Sequence, residues 1–264
     1  MSLKFAANLS FLYQDRPLLD RIASAARDGF EGVEYLFPYD FPAREIKQRL
    51  SDAGIAQALF NAPAGDWARG ERGTSSLPGR TEEFRSGVLQ ALDYAGELGN
   101  TRVHIMAGLL PADADRAERL ERYQANVAWA AGQAAARGIT IVLEPINQRD
   151  MPGYLLSYQQ DALAVIDAIG APNVQVQFDC YHCQIMEGDI TMKLRAMFEF
   201  VGHVQIASVP GRNEPDGQEL SYPYVFQVLD ELGYAGWVGC EYKPRADTSA
   251  GLGWLRAYRQ SIGR

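Results

Sequence analysis

Gly138, Gly170, Gly202 and Gly233 recur about 32 residues apart, each after a helical pattern and before an apolar run. That spacing is one strand, one loop and one helix, with the glycine just past the helix supplying the turn back. The same unit is readable upstream. A strand over 5–9 precedes a helix that Pro17 opens and Gly29 stops, with Leu18, Leu19, Ile22, Ala25 and Ala26 on one face. A strand over 32–36, a helix over 42–53 ended by Gly54, and a strand over 57–61 follow. Thr81 with Glu82 and Glu83 starts a helix carrying Phe84, Val88, Leu92, Ala95 and Leu98, before a strand over 102–106 and a long helix over 114–137. Ser157 with Gln160 reads as a capping box for a helix closed by Gly170, 190–200 is helical up to Gly202, Ser221 caps a helix through Leu232, and 252–262 is the last helix. Eight β/α units in about 250 residues are what a (β/α)8 TIM barrel requires, so the chain reads as one α/β barrel domain over 1–264. A doubly wound sheet is the structural alternative, but no G-x-G-x-x-G follows the first strand, and a nucleotide cofactor has no support.

Barrel enzymes place their chemistry at the carboxyl ends of the strands. Thr140-Ile141-Val142-Leu143 is an unbroken apolar run that ends in Glu144, and Pro145 takes the chain out of any ladder at once. Later strands end similarly, at Asp179, at Gln205 and at Glu241. If these strands are parallel neighbours, Glu144, Asp179, Gln205 and Glu241 converge at one mouth. Three carboxylates with one amide oxygen form a hard, all-oxygen donor set suited to Mg²⁺ or Mn²⁺, and a cation would offset their mutual repulsion. The bland alternative pairs each acid with an arginine or lysine at the rim.

His182, in the loop after the sixth strand, is placed to meet a substrate oxygen, or else is a satisfied structural histidine. Arg212, within Pro210-Gly211-Arg212-Asn213-Glu214-Pro215, could clamp a carboxylate with its planar fork, or simply be a solvated loop arginine. Residues 62–79 are rich in Gly, Pro, Ser and Arg, too long for an ordinary connector, and Trp67 argues that they form a lid; Arg69 and Arg72 are weaker candidates there. Cys180 and Cys183 make a C-x-x-C with no second pair, so a zinc or redox role is not supported.

A net charge of −8 disfavours nucleic acid and anionic membranes as partners, and no stretch of about 18 apolar residues is present. With no h-region at the N-terminus and three cysteines, too few for a disulfide framework, a cytoplasmic protein is expected; a homo-oligomer is compatible with the sequence.

At these residues the chain resembles the hydroxypyruvate isomerase family, among the xylose-isomerase-like barrels that also include 2-oxo-tetronate isomerases and ketose 3-epimerases. The resemblance is carried by Ala7-Asn8-Leu9-Ser10, Phe37-Pro38-Tyr39-Asp40, Gly65-Asp66-Trp67, Gly70-Glu71-Arg72-Gly73, Leu143-Glu144-Pro145-Ile146-Asn147, Gly211-Arg212-Asn213-Glu214-Pro215 and Gly236-Trp237-Val238-Gly239-Cys240-Glu241-Tyr242. It implies a divalent metal at Glu144, Asp179, Gln205 and Glu241, the two glutamates as proton donor and acceptor, and substrate contacts at His182 and Arg212. The expected reaction converts a small 2-oxo-3-hydroxy acid such as hydroxypyruvate to its aldehyde isomer through an enediolate. Ser208-Val209 departs from the Asp-Asn pair usual before Pro-Gly-Arg. A ketose 3-epimerase is the near alternative; a metal-dependent apurinic endonuclease and a non-catalytic sugar-acid binding module are the distant ones. The endonuclease is disfavoured because the chain has three histidines, with His104 expected on a strand apart from the acids.

Overall fold

The structure, a computed structural model, describes residues 2–263. Strands β1 (Lys4–Asn8), β2 (Gly32–Tyr35), β3 (Ala56–Asn61), β4 (Arg102–His104), β5 (Thr140–Leu143), β6 (Val174–Asp179), β7 (Val201–Ile206) and β8 (Trp237–Cys240) close in chain order into a parallel barrel. Between them run α1 (Leu18–Arg27), α2 (Ala43–Ala53), α3 (Thr81–Leu98), α4 (Arg116–Ala135), α5 (Gln159–Ile169), α6 (Cys180–Met186), α7 (Ile190–Met197) and α8 (Tyr222–Glu231), with α9 (Gly253–Ser261) last. The TIM-barrel expectation is met. Apolar stripes such as Phe84, Val88, Leu92 and Ala95 of α3 bury against the strands, and that burial holds the helical layer on.

The glycine repeat is less regular than it reads. Gly138, Gly170 and Gly233 do stop helices in the left-handed conformation, at φ 66°, 63° and 71°. Gly202 instead lies inside β7, where a Cβ would sit 2.7 Å from Gln175 Oε1, so its smallness serves strand packing. The capping box after β5 is one residue further on than expected: α5 starts at Gln159, and the Asp161 carboxylate accepts from the N–H groups of Ser157 and Tyr158. His182 is not in a loop, because Asp179 itself caps a helix that starts at the next residue, its Oδ1 accepting from the N–H groups of Tyr181 and His182.

Residues 62–79 divide into two parts. From Gly73 onward they are pinned: Ser75 and Ser76 donate to the carbonyls of Met106 and Ala107, and Asn126 and Arg119 of α4 donate to the carbonyls of Ser75 and Ser76. Gly73 runs so close to the β4 exit that a Cβ would lie 2.4 Å from the Met106 carbonyl oxygen. Ahead of it a short 3-10 turn, Trp67–Arg69, hangs over the barrel mouth. Among the described residues, no helix is long and apolar enough to cross a membrane.

Candidate active site

Ladder register brings the ends of the last strands to one level: Asp179 pairs with Gln205, and Gln205 with Gly239. Glu144 follows β5 and Glu241 follows β8. All four predicted side chains are buried at this end, Glu144, Asp179 and Glu241 having 5%, 0% and 6% of their surface exposed. Above them lies a cavity of about 200 Å³. Glu144, Glu241, His182 and Arg212 line it, with Trp67 and Arg72 at its rim segment.

Burial dominates the electrostatics. It raises Glu144 well above the ordinary carboxylate range, with Glu241 and Asp179 adding to the rise. It pushes Glu241 up to about 8, against the pull of Arg212. Asp179 is raised for the same reason, opposed by Arg212 and by the two backbone N–H groups it accepts. Glu144 Oε1 and Asp179 Oδ2 are buried without a hydrogen-bond partner, although an ionised carboxylate oxygen needs one or a cation. This is the donor chemistry of a hard divalent ion, and the residues fit one.

His182 Nε2 lies 3.9 Å from Glu144 Oε1 and 4.0 Å from Asp179 Oδ2, close enough to suggest a third ligand. Its tautomer argues otherwise. Asn147 Oδ1 accepts from the Asp150 N–H, which fixes the amide so that Nδ2 donates to His182 Nδ1 at 2.6 Å. With Nδ1 accepting, the ring proton sits on Nε2, a donor aimed at the acids and unable to bind a metal. Burial, with help from Arg212, holds His182 well below its usual pKa, so it is a neutral donor.

Gln205 sits beneath. Its Nε2 donates to Glu241 Oε2 at 2.6 Å and to Glu34 Oε1 at 2.7 Å, while its Oε1 accepts from Gln177 at 2.7 Å. Arg212 is not a solvated loop residue: it donates to Glu241 Oε1 at 2.5 Å and Asp150 Oδ2 at 3.3 Å, and its guanidinium lies over the rings of Phe11 and Tyr181. Its φ of 54° holds an unfavourable left-handed backbone, and its Nε–H is buried without a partner. Arg72 stacks 3.9 Å over Trp67, which packs on Phe37. Arg69 does not line the cavity.

Barrel closure overturns one expectation. His104 is not apart from the acids: β4 neighbours β5, and His104 Nδ1 lies 3.8 Å from Glu144 Oε2. Burial depresses it to about 3, so it is neutral. Asn8, Glu34, Gln177 and His203, all buried around the acids, were missed; the available signal was a charged or polar residue inside an otherwise apolar strand. Cys180, Cys183 and Cys240 are buried free thiols.

A sequence model described as xylose isomerase-like TIM barrel matches residues 22–258. The 2-oxo-tetronate isomerase of Cupriavidus necator is 59% identical over 97% of this chain and 98% of its own. The hydroxypyruvate isomerase of Escherichia coli is 43% identical over 97% of this chain and 100% of its own. A crystal structure described as an AP endonuclease, family 2, from Brucella melitensis superposes with a TM-score of 0.95 at 48% identity, covering 97% of this chain and 99% of that one. The chain belongs to the xylose isomerase-like TIM barrel family and, within it, to the hydroxypyruvate isomerase family. With these relatives, it is an isomerase of the aldose–ketose type.

Proposed function

We propose that the chain interconverts a small 2-oxo-3-hydroxy acid, hydroxypyruvate or a 2-oxo-tetronate, and its aldehyde isomer in a divalent-metal-dependent reaction. The observation that carries this reading is the pair of buried glutamates, Glu144 and Glu241, facing one cavity with Asp179 between them in charge and two carboxylate oxygens unpartnered. Glu144, Asp179, Glu241 and the Gln205 oxygen would hold Mg²⁺ or Mn²⁺. That ion would supply stabilisation for the negative charge developing on the substrate oxygens.

The protein's own groups do the rest. One glutamate takes the proton from C3 of hydroxypyruvate, leaving an enediolate. The pair then returns that proton to C2, and the C3 hydroxyl proton passes to the C2 oxygen, giving 2-hydroxy-3-oxopropanoate. A value near 8 suits Glu241 to gain and lose protons near neutrality, and burial raises Glu144 in the same direction. His182 Nε2–H donates to a substrate oxygen, and the free Nε–H of Arg212 marks it as the partner of the substrate carboxylate. Trp67 and Arg72, on the segment 62–72, cover the mouth and exclude water. Pinning of residues 73–76 restricts the lid to that first part.

A cavity of about 200 Å³ falls below the roughly 300–1,000 Å³ of drug-sized ligand sites and favours a three- or four-carbon acid over a six-carbon ketose for 3-epimerisation. Against phosphodiester cleavage, His203 is tied to Glu34 and His182 is locked as a donor, so neither is free to bind a second or third metal. The test is deuterium uptake from solvent into hydroxypyruvate, a 2-oxo-tetronate and a ketose, with and without Mg²⁺ or Mn²⁺. Uptake only into the acids, lost on chelation, is expected. Full turnover after chelation removes the metal, uptake confined to the ketose makes the chain an epimerase, and tight binding with no uptake leaves a binding module.

A further inference from the structure

Beneath the cavity, below Gln205, lies a buried carboxylate–imidazole pair with no part in the steps above. Glu34 of β2 and His203 of β7 are 1% and 0% exposed, and His203 Nε2 meets Glu34 Oε2 at 2.7 Å. The other carboxylate oxygen, Glu34 Oε1, accepts from Asn8 Nδ2 at 3.0 Å and from Gln205 Nε2 at 2.7 Å. Space is cleared for this carboxylate on the facing strand: a Cβ at Gly239 would fall within 2.3 Å of Glu34 Oε2.

We propose that Glu34, held by His203, is a positioning residue that sets which way the Gln205 amide faces. An amide end between two carboxylate oxygens can only be the NH₂ end, because a carbonyl there would face acceptors alone. Glu34 and Glu241 therefore both demand the two N–H groups, and the carbonyl oxygen is turned to the other side, where it accepts from Gln177. One acid below the site thus helps fix a polarity that runs from Glu241 through Gln205 to Gln177. Asn8 reinforces it: its Oδ1 accepts from the Ser10 N–H, so its Nδ2 is compelled to donate, and it does so to both Glu34 and Glu241. His203 holds Glu34 against rotation by its contact with Oε2.

The inference rests on the reading that the Gln205 oxygen serves the cation, and the experiment separates the two. Glu34→Met keeps length and removes one of the two carboxylates that demand the Gln205 NH₂, so the orientation of the amide is left to Glu241 and Gln177 alone. Mn²⁺ affinity, read by electron paramagnetic resonance, and kcat should each fall roughly 10–100-fold, the usual effect of losing a group that orients a ligand. Glu34→Met with Gln205→Glu should recover most of both losses, because a carboxylate offers an oxygen whichever way it turns, and the net charge of the cluster is restored. A double variant no better than the single one reduces Glu34 to a packing role and overturns the proposal, as does a single variant with unchanged affinity and kcat.

Should Glu34→Met fail to fold, the unsubstituted protein still decides. Its Gln205 side-chain ¹⁵N–H pair, assigned by its loss in Gln205→Glu, should be shifted downfield and protected from exchange. Free-amide behaviour overturns the lock. If the unsubstituted protein takes up no Mn²⁺, the metal reading fails, and the amide resonances together with kcat of the variants judge the lock alone.

Discussion

Asn147 gives its side-chain oxygen to the Asp150 N–H and its Nδ2 to His182, and through that single orientation the imidazole becomes a fixed donor toward the acids. Asn147→Leu removes the shorter of the two donors to His182 Nδ1 and leaves only the backbone N–H of residue 147 at 3.4 Å. We expect kcat to fall roughly tenfold or more with the fold retained, and ¹H–¹⁵N spectra to show His182 passing from one tautomer with Nε2 protonated to a mixture. An unchanged tautomer would place the constraint elsewhere. Arg212 is argued on charge: a carboxylate entering a mouth that already holds three acids needs a cation to offset repulsion. Arg212→Ala should weaken turnover of acid substrates more than of neutral ketoses, and equal losses would count against the clamp. Glu144, Asp179, Gln205, Glu241, His182 and Arg212 were all legible as strand-end and loop residues of the right chemistry. Which nitrogen of His182 carries the proton was not legible, because it depends on Asn147, an unremarkable member of the loop after β5.

At the scale of elements, the segment after β3 shows why composition misleads. Residues 62–79 share one Gly- and Ser-rich texture, yet 73–76 are buried and bonded to the β4 exit while Trp67–Arg69 stands over the mouth. Gly73, at φ 126°, is where the chain passes from one to the other. Gly73→Ala combines backbone strain with a clash against Met106 and should cost about 2 kcal/mol or more in urea unfolding. A change within a few tenths of a kcal/mol would show that this junction yields. Gly202 is the complementary case: it falls on the helix-stop period, yet it serves β7 by leaving room for Gln175. Period alone does not distinguish a helix stop from a strand contact.

For the whole molecule, the buried acids couple stability to pH and to metal. Glu241 keeps its proton to about 8 when folded, and an exposed glutamic acid loses it near 4.5. Across that window the folded state binds more protons than the unfolded one, so ion-free protein should lose stability as pH rises from about 5 to about 8. Mn²⁺ should raise Tm, and by more at the upper end, where its competitor for the carboxylates is gone. A Tm that is flat with pH and indifferent to Mn²⁺ would remove the coupling. The order of strands, the helical stripes and the acids at the strand ends follow from local periodicity and turn chemistry, and those the chain carries in its own sequence. The placing of His104 against Glu144, the pairing of Glu34 with His203 across the barrel, and the polarity of Gln205 follow from closure and register. They join residues between 28 and 171 positions apart, over distances that no local pattern reaches.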